Sequence, residues 1–348
     1  MKRELSLETA RRFLNEKTNK IYSLPIVILM PHSRCNCRCV MCDIWKGNNN
    51  VKQLEESDIK SLLDSLEKLK TKLVVMSGGE ALMHPNFFKL CEIIKSRNIK
   101  ITLLSTGLLL KKYAKEIIGM TDEVIVSLDG SREVHDKIRN IPNAFDKLKE
   151  GVQVLKTIEP KFKVTARSVI QKENFEDFPN IVNAAKEIGL DQISFLAADV
   201  TTDAFNRPDL WDDQKVREVK LSRDDLEKFK EIVESLIISH SNDFKTNFIA
   251  ESPEKIRRFY HYYAAYYGLS KFPEMNCNAP WVSAVIEADG SVRPCFFHPI
   301  SGDIRENSLL EIINSEKSIS FRKNLDVKTN SICEKCVCYL NLSPFAKI

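Results

Sequence analysis

The chain has 348 residues, enough for one large domain or for a large domain with a smaller one. Apolar residues make up 43% of it and charged residues 29%, which is typical of a globular protein and argues against a disordered chain. The net charge of +4 is too small to indicate a nucleic acid or an anionic membrane as a partner.

The N-terminus continues into a charged amphipathic stretch and lacks the apolar core of a signal peptide. The apolar run Ile26–Met30 is far shorter than the roughly 20 residues that a bilayer requires. We therefore expect a cytoplasmic protein without a membrane partner. In a reducing cytosol, grouped cysteines are metal ligands more often than disulfides.

Short β-type runs alternate with helical patterns from Ile26 to Leu196, which is typical of a parallel α/β sheet with right-handed crossovers. The predicted strands are Ile26–Met30, Leu73–Met76, Ile99–Ser105, Glu123–Leu128, Val164–Ile170 and Gln192–Leu196. The predicted helices lie near Glu55–Leu69, Asn86–Arg97, Lys111–Ile118, Ala144–Ile158 and Phe175–Ile188. Six such units predict a partial (β/α)6 barrel with its active site at the carboxyl ends of the strands.

Beyond Val200 this alternation stops, and the chain divides into four predicted parts. These are an N-terminal helical extension (1–24), the barrel (25–199), a helical insertion or linker (200–275) and a cysteine-rich C-terminal domain (276–348). In the insertion, Tyr260, Tyr263 and Tyr267 share a helical face, and packing into the core is a simpler interpretation than a lid. A hairpin is predicted from Val282 to Arg293.

Four of the ten cysteines follow the first predicted strand directly. Thiolates at Cys35, Cys39 and Cys42 can hold three corners of a cubane iron–sulfur cluster and leave the fourth iron open. A zinc site that includes His32 is the alternative. Cys37 fits no register of this spacing, and the isolated Cys91 is predicted to be a small core side chain.

This C-x3-C-x2-C loop resembles the signature of the radical S-adenosylmethionine (SAM) superfamily. Ser77–Glu80, Ser105–Gly107 and Ser127–Gly130 follow the second, third and fourth strands, in the order of that family's motifs. The resemblance implies a [4Fe–4S] cluster whose open iron binds SAM, and a one-electron cleavage that gives a 5′-deoxyadenosyl radical. It implies SAM contacts from Met41, Gly78, Gly79, Glu80, Thr106, Ser127, Asp129 and Arg167. Relatives often carry an aromatic residue where this chain has Met41.

A second cysteine group near the C-terminus resembles the auxiliary-cluster modules of radical SAM enzymes, the SPASM and twitch domains. The resemblance implies a second [4Fe–4S] cluster on four ligands, Cys277, Cys295, Cys333 and Cys336. Cys338 is a possible substitute for Cys336. A tetrahedral zinc site is the alternative here too.

Two further features qualify this second group. Leu342 and Ala346 hold the positions of additional SPASM cysteines, which favours the one-cluster twitch type. Arg293 and His298 flank Cys295, and a structural role is the simpler expectation for both.

A cluster with four protein ligands is suited to accept an electron from a substrate radical. The sequence therefore predicts redox-neutral dehydrogenation of a small molecule, with flavodoxin or ferredoxin as the external one-electron reductant. The alternatives are a maturase that cross-links, epimerises or oxidises a ribosomally made peptide, and a small-molecule epimerase or decarboxylase. A non-catalytic zinc or nucleic-acid-binding protein is the remaining interpretation, and the absence of a basic stripe in the sequence counts against it. The pattern identifies no catalytic base.

Overall fold

One sheet runs through the protein, and its strands follow the predicted alternation. The computed structural model describes residues 2–202, 204 and 210–348, with side chains from residue 7 onward. The strands of this part are β1 (Ile26–Leu29), β2 (Leu73–Met76), β3 (Lys100–Ser105), β4 (Glu123–Ser127), β5 (Lys163–Ile170), β6 (Gln192–Ala197), β7 (Ser283–Ile286), β8 (Ser291–Arg293) and β9 (Gly302–Asp303). The order across the sheet is β6-β5-β4-β3-β2-β1-β7-β8-β9.

Strands β1 to β6 pair in parallel with their sequence neighbours and form the partial barrel. Each agrees with its predicted bounds to within one residue at either end. In β1 and β2, Val27, Leu29, Val74 and Met76 are completely buried on one face, while the alternate residues keep some exposure. Because successive side chains of a strand point to opposite faces, the partly exposed residues share the inner face of the sheet, where space remains.

The helices and short 3-10 turns connect the strands and cover the outer face of the barrel. The helices are α1 (Lys2–Thr18), α2 (Glu56–Lys68), α3 (Phe87–Lys95), α4 (Ala114–Met120), α5 (Arg132–Arg139), α6 (Ala144–Ile158), α7 (Phe178–Ile188), α8 (Asp213–Val219), α9 (Asp225–Ser239), α10 (Ser241–Lys245), α11 (Pro253–Ala265), α12 (Ala279–Val282), α13 (Leu309–Ile313), α14 (Glu316–Asn324) and α15 (Ser331–Glu334). The 3-10 turns are Ile44–Asn49 and Ala81–Met83. Helix α5 was not predicted, because it is short and mostly charged.

The C-terminal hairpin extends the barrel sheet. Strand β7 pairs in parallel with β1, with Ile26 opposite Ser283 and Leu29 opposite Ile286. The antiparallel pairing of β7 with β8 confirms the predicted hairpin. The sequence did not predict that this hairpin joins the barrel, because the partner of β7 lies more than 250 residues earlier in the chain.

The region after β6 packs against the end of the barrel. Tyr263 on α11 is completely buried and contacts Phe229 on α9 edge to face, which confirms a core position for this tyrosine. Residues 248–250 cover part of the β6 edge, since Ile193 donates to the Phe248 carbonyl and accepts from Ala250 N. No helix of the described residues is both long and apolar enough to cross a membrane.

Candidate active site

The first cysteine loop follows β1 and is held by backbone hydrogen bonds on both sides. Cys35 N donates to Asn48 Oδ1 (3.0 Å) and Asn48 Nδ2 donates back to the Cys35 carbonyl (2.9 Å). Further along, Arg38 N and Val40 N donate to carbonyls of Arg139 and Ile138 at the end of α5. The loop conformation is therefore set by two separate elements of the fold.

The four thiols of this loop differ in exposure. Cys35 and Cys42 are partly exposed, whereas Cys39 and Cys37 are buried. The thiol of Cys37 is hydrogen-bonded to Cys35 and Cys39. Cys37 therefore contacts two predicted ligands, although it fits no register of the ligand spacing. The hydrogen bond between Cys37 and Cys39, together with the charge of Arg139, lowers the pKa of Cys39 to about 7 despite its burial. A lowered pKa favours the thiolate, the form that ligates metals.

The Gly78–Glu80 segment after β2 lies against the cysteine loop. Gly78 has φ +108°, a conformation that side chains disfavour. A Cβ on Gly79 would meet the Arg34 carbonyl oxygen at 2.1 Å, and Glu80 N donates to that oxygen at 2.7 Å. Glycine at position 79 is therefore a requirement of the close approach between the two segments.

Glu80 is completely buried and joins the ends of β2 and β3. Its carboxylate accepts from Thr106 N (2.7 Å) and Ser105 Oγ (3.0 Å), and Thr106 Oγ1 lies 2.6 Å away. Burial raises the pKa of Glu80, and these hydrogen bonds oppose the rise. Thr106 Oγ1 also lies 2.9 Å from Asn36 Oδ1 in the cysteine loop. The structure thus brings two predicted cofactor-binding residues, Glu80 and Thr106, together beside the loop.

Asp129 is completely buried, and its partners belong to the protein. One oxygen pairs with the Arg139 guanidinium, and the other accepts from Val169 N at 2.8 Å. Arg139 Nη1 lies 3.5 Å from Cys39 Sγ. The carboxylate predicted to reach the SAM ribose therefore holds a buried cation against a predicted cluster ligand.

Arg139 is a site residue that the sequence analysis missed. It ends a helix that was not predicted, ten residues after Asp129. The available signal was the buried carboxylate itself, because a buried charge needs a partner.

The other predicted SAM contacts lie on the last strands and near them. Met41 packs against a small buried cluster formed by Ala198, Val200 and Val219. Ser127 ends β4 opposite Arg167 on β5. Arg167 Nε donates to Ser194 Oγ at 3.4 Å, and its side chain faces the inside of the barrel. These contacts to SAM remain predictions.

The second cysteine group borders a cavity of about 260 Å³ inside the barrel, here called the central chamber. Apolar side chains of the barrel strands line one side of it, namely Ile26, Ile28, Leu73, Val75, Leu104 and Ile125. Five cysteines line the other side, namely Cys277, Cys295, Cys333, Cys336 and Cys338. Both Cys336 and Cys338 are present, so the choice of the fourth ligand remains a prediction.

Burial favours neutral thiols in the second group when no metal is bound. It raises the pKa of Cys295 to about 11 and that of Cys333 to about 12. His298 Nε2 lies 3.2 Å from Cys333 Sγ, so His298 contacts a predicted ligand. Arg293 donates hydrogen bonds to the Glu287 carboxylate and to the His298 carbonyl, which fits the structural role expected for Arg293.

Two sequence profiles match this architecture. The profile of the radical SAM superfamily matches residues 29–185, and that of the SPASM iron–sulfur cluster-binding domain matches residues 277–337. The chain belongs to the radical SAM superfamily. Cys277, Cys295, Cys333 and Cys336 of the second group lie within a SPASM domain, and the cofactors of the chain are accordingly SAM and iron–sulfur clusters.

The relatives of this radical SAM protein have different named activities. It is 30% identical over 175 residues to the Fe-coproporphyrin III synthase of Methanosarcina barkeri, a match that covers 49% of this chain and 43% of that one. It is 25% identical over 346 residues to the cysteine-type anaerobic sulfatase-maturating enzyme of Clostridium novyi, covering 91% and 86%. It spans 43–58% of the length of three curated relatives that it matches.

The fold is similar to that of SuiB from Streptococcus suis, in its crystal structure with the precursor peptide SuiA. The TM-score is 0.64 at 16% identity, and the match covers 94% of this chain and 73% of SuiB. This likeness supports the assignment of the barrel and of the C-terminal domain.

The donor sets of the radical SAM protein fit iron–sulfur clusters. The second set places five thiols along one wall of the central chamber, and grouped thiolates are the ligands of iron–sulfur clusters. The first set combines thiols with a buried guanidinium and a glycine cradle beside it. Cys35, Cys39 and Cys42 would hold one cluster, and four of the five C-terminal cysteines the other.

Proposed function

We propose that this chain is an enzyme that oxidises an apolar group of its substrate inside the central chamber. The observation that supports this proposal is the lining of the central chamber. Barrel strands form one wall, and their carboxyl ends support the first cysteine loop, while the auxiliary cysteines form the other wall. A substrate in this chamber lies between the two cofactor sites.

When bound, the first cluster with SAM and an external electron supplies a 5′-deoxyadenosyl radical for hydrogen abstraction, and the auxiliary cluster supplies a centre that takes up one electron. The protein provides position and a dry environment. Glu80, Thr106 and Gly79 fix the edge of the barrel at which SAM is expected to bind. The apolar chamber wall keeps water away from reactive species.

The net reaction that best suits this arrangement is a redox-neutral dehydrogenation. With both clusters loaded, the substrate would give a hydrogen atom to the 5′-deoxyadenosyl radical, an electron to the auxiliary centre and a proton to a base. Return of that electron to the first cluster or to the reductant would balance the cycle, with SAM as the net two-electron oxidant. A flavodoxin- or ferredoxin-type protein supplies the electron that starts each cycle. The substrate is proposed to be a small molecule.

Maturation of a peptide is the second candidate, and one observation favours it. The relative matched over 91% of this chain is named a sulfatase-maturating enzyme, which denotes a protein substrate. An apolar side chain of a peptide would fit the same chamber.

The test begins with protein reconstituted without oxygen. Two cubane clusters should give about eight irons per chain, and addition of dithionite and SAM should release 5′-deoxyadenosine. Zinc in the first loop, or no release, would contradict the proposal. Products from peptide and small-molecule libraries then separate the two candidates. Normal product formation by a Cys277→Ala protein would exclude the auxiliary cluster as the electron acceptor.

A further inference from the structure

A second, charged pocket adjoins the central chamber beside the edge of β6. Arg167, Lys255 and Arg258 line it together with Glu251, Tyr339 and the segment Cys336–Cys338. Its elements are strand β5, helix α11 and the C-terminal cysteine segment. We call it the basic pocket.

Three cations face one carboxylate in the basic pocket. Glu251 is buried and accepts from Phe195 N at 3.1 Å, and Lys255 lies 3.5 Å from its other oxygen. Glu251 is therefore engaged by the edge of β6 and by a single lysine. The remaining positive charge of the pocket is not balanced by a second described carboxylate in its lining.

The cations are held in place by the protein. Lys255 and Arg258 lie over the Tyr339 ring, at 5.1 and 5.8 Å from its centroid. Arg167 Nε donates a hydrogen bond to Ser194 Oγ. Neither terminal nitrogen of Arg167 has a hydrogen-bond partner among the described residues. Arg167 thus presents a guanidinium at the boundary between pocket and chamber.

The basic pocket and the central chamber share Arg167, Cys336, Cys338 and Tyr339 in their linings. The two cavities therefore meet at these four residues. From this juxtaposition we infer that the basic pocket binds a carboxylate of the substrate while an apolar part of the same molecule occupies the central chamber. The inference rests on the proposed function, because it takes the occupant of the chamber to be the substrate.

A carboxylate suits this pocket better than a phosphate. Its planar shape matches the fork of a guanidinium, and its single charge meets less repulsion from Glu251 than a dianion would. The carboxylate can belong to a small acid or to a peptide, and the two sources share this chemistry.

The test measures ligand binding to the anaerobically reconstituted protein, with hexanoate as the probe and hexanamide as its neutral match. Calorimetry or saturation-transfer NMR should show hexanoate binding about tenfold more tightly than hexanamide. The Lys255→Gln/Arg258→Gln double variant and the Arg167→Gln variant should each lose most of this preference. The matched control is Lys230→Gln, because Lys230 also lies over a tyrosine of α11 but outside the pocket.

Circular dichroism and iron content establish that each variant is folded and loaded. A preference for hexanoate that persists in the double variant would overturn the inference. In Arg167→Gln, loss of SAM binding with unchanged hexanoate affinity would remove Arg167 from the pocket and return it to the SAM site. Short blocked peptides with Glu or Gln show whether a peptide carboxylate is bound as well as a free acid.

The proposed function has its own readout, the release of 5′-deoxyadenosine. No release together with intact discrimination between hexanoate and hexanamide would refute the enzymatic proposal and leave the carboxylate pocket standing. Release of 5′-deoxyadenosine without discrimination between hexanoate and hexanamide would support the enzymatic proposal and refute the carboxylate pocket.

Discussion

The two cysteine groups of this protein are built in opposite ways. The first occupies eight residues of one loop, and main-chain hydrogen bonds to Asn48, α5 and the Gly78–Glu80 segment fix its shape. The second is assembled from segments up to 61 residues apart. The first and last segments of this group are joined by Asn278, which forms hydrogen bonds with the main chain of Leu340 and Leu342. The first group is thus a local structure, whereas the second exists only when the C-terminal region has folded.

The largest expected effect is a difference between single cysteine variants of the two groups. Cys39→Ala should release no 5′-deoxyadenosine above background, because it removes a ligand of the SAM-binding cluster. Cys333→Ala should still release it but form no oxidised product. Iron counting should give about four irons per chain for both variants. Equal loss of SAM cleavage in the two proteins would show that the groups do not act separately.

Disruption of the buried Asp129–Arg139 pair should have the next largest effect. Arg139→Gln leaves a buried carboxylate without its cation, which costs about 3–5 kcal/mol in the free energy of unfolding. Anaerobic urea denaturation measures this loss, and iron analysis should show poorer loading of the first cluster. An Asp129→Asn/Arg139→Gln double variant should recover part of the stability but not the loading. Full recovery of loading would mean that Arg139 acts only through Asp129.

The strands around the first group could be predicted because their information is local, whereas the ligand role of its cysteines stays a prediction. The spacing of Cys35, Cys39 and Cys42 and the apolar strands are short patterns, and the strands agree with the structure to within one residue. The β1–β7 pairing was missed because its partners lie more than 250 residues apart, and Arg139 because it ends a short charged helix and contacts Cys39 100 residues away. The central chamber and the basic pocket were invisible because each combines side chains that are far apart in the sequence, from residues 26 to 340 in the chamber and from 167 to 339 in the pocket.

A smaller effect is expected from an added methyl group at Gly79. Gly79→Ala places a Cβ 2.1 Å from the Arg34 carbonyl, and the resulting displacement should cost about 1–3 kcal/mol. Calorimetric SAM binding should weaken, because the displaced backbone belongs to the predicted SAM site. Gly119→Ala is the matched control, since its Cβ would enter open space within α4 and should add up to roughly 1 kcal/mol of stability. If both variants bind SAM as the parent does, the contact with Arg34 has no role in the site.

The smallest effect concerns His298, which contacts the second group alone. Its Nε2 lies 3.2 Å from Cys333 Sγ, and hydrogen bonds to ligand sulfur raise the potential of a cluster by stabilising added negative charge. His298→Leu should therefore lower the auxiliary reduction potential by roughly 20–60 mV, the equivalent of one ordinary hydrogen bond. EPR-monitored titration of a protein that lacks the first three ligands isolates this signal. His298→Gln, which retains a donor, should recover part of the shift. An unchanged potential in His298→Leu would limit His298 to packing against Phe321, whose ring it meets edge to face.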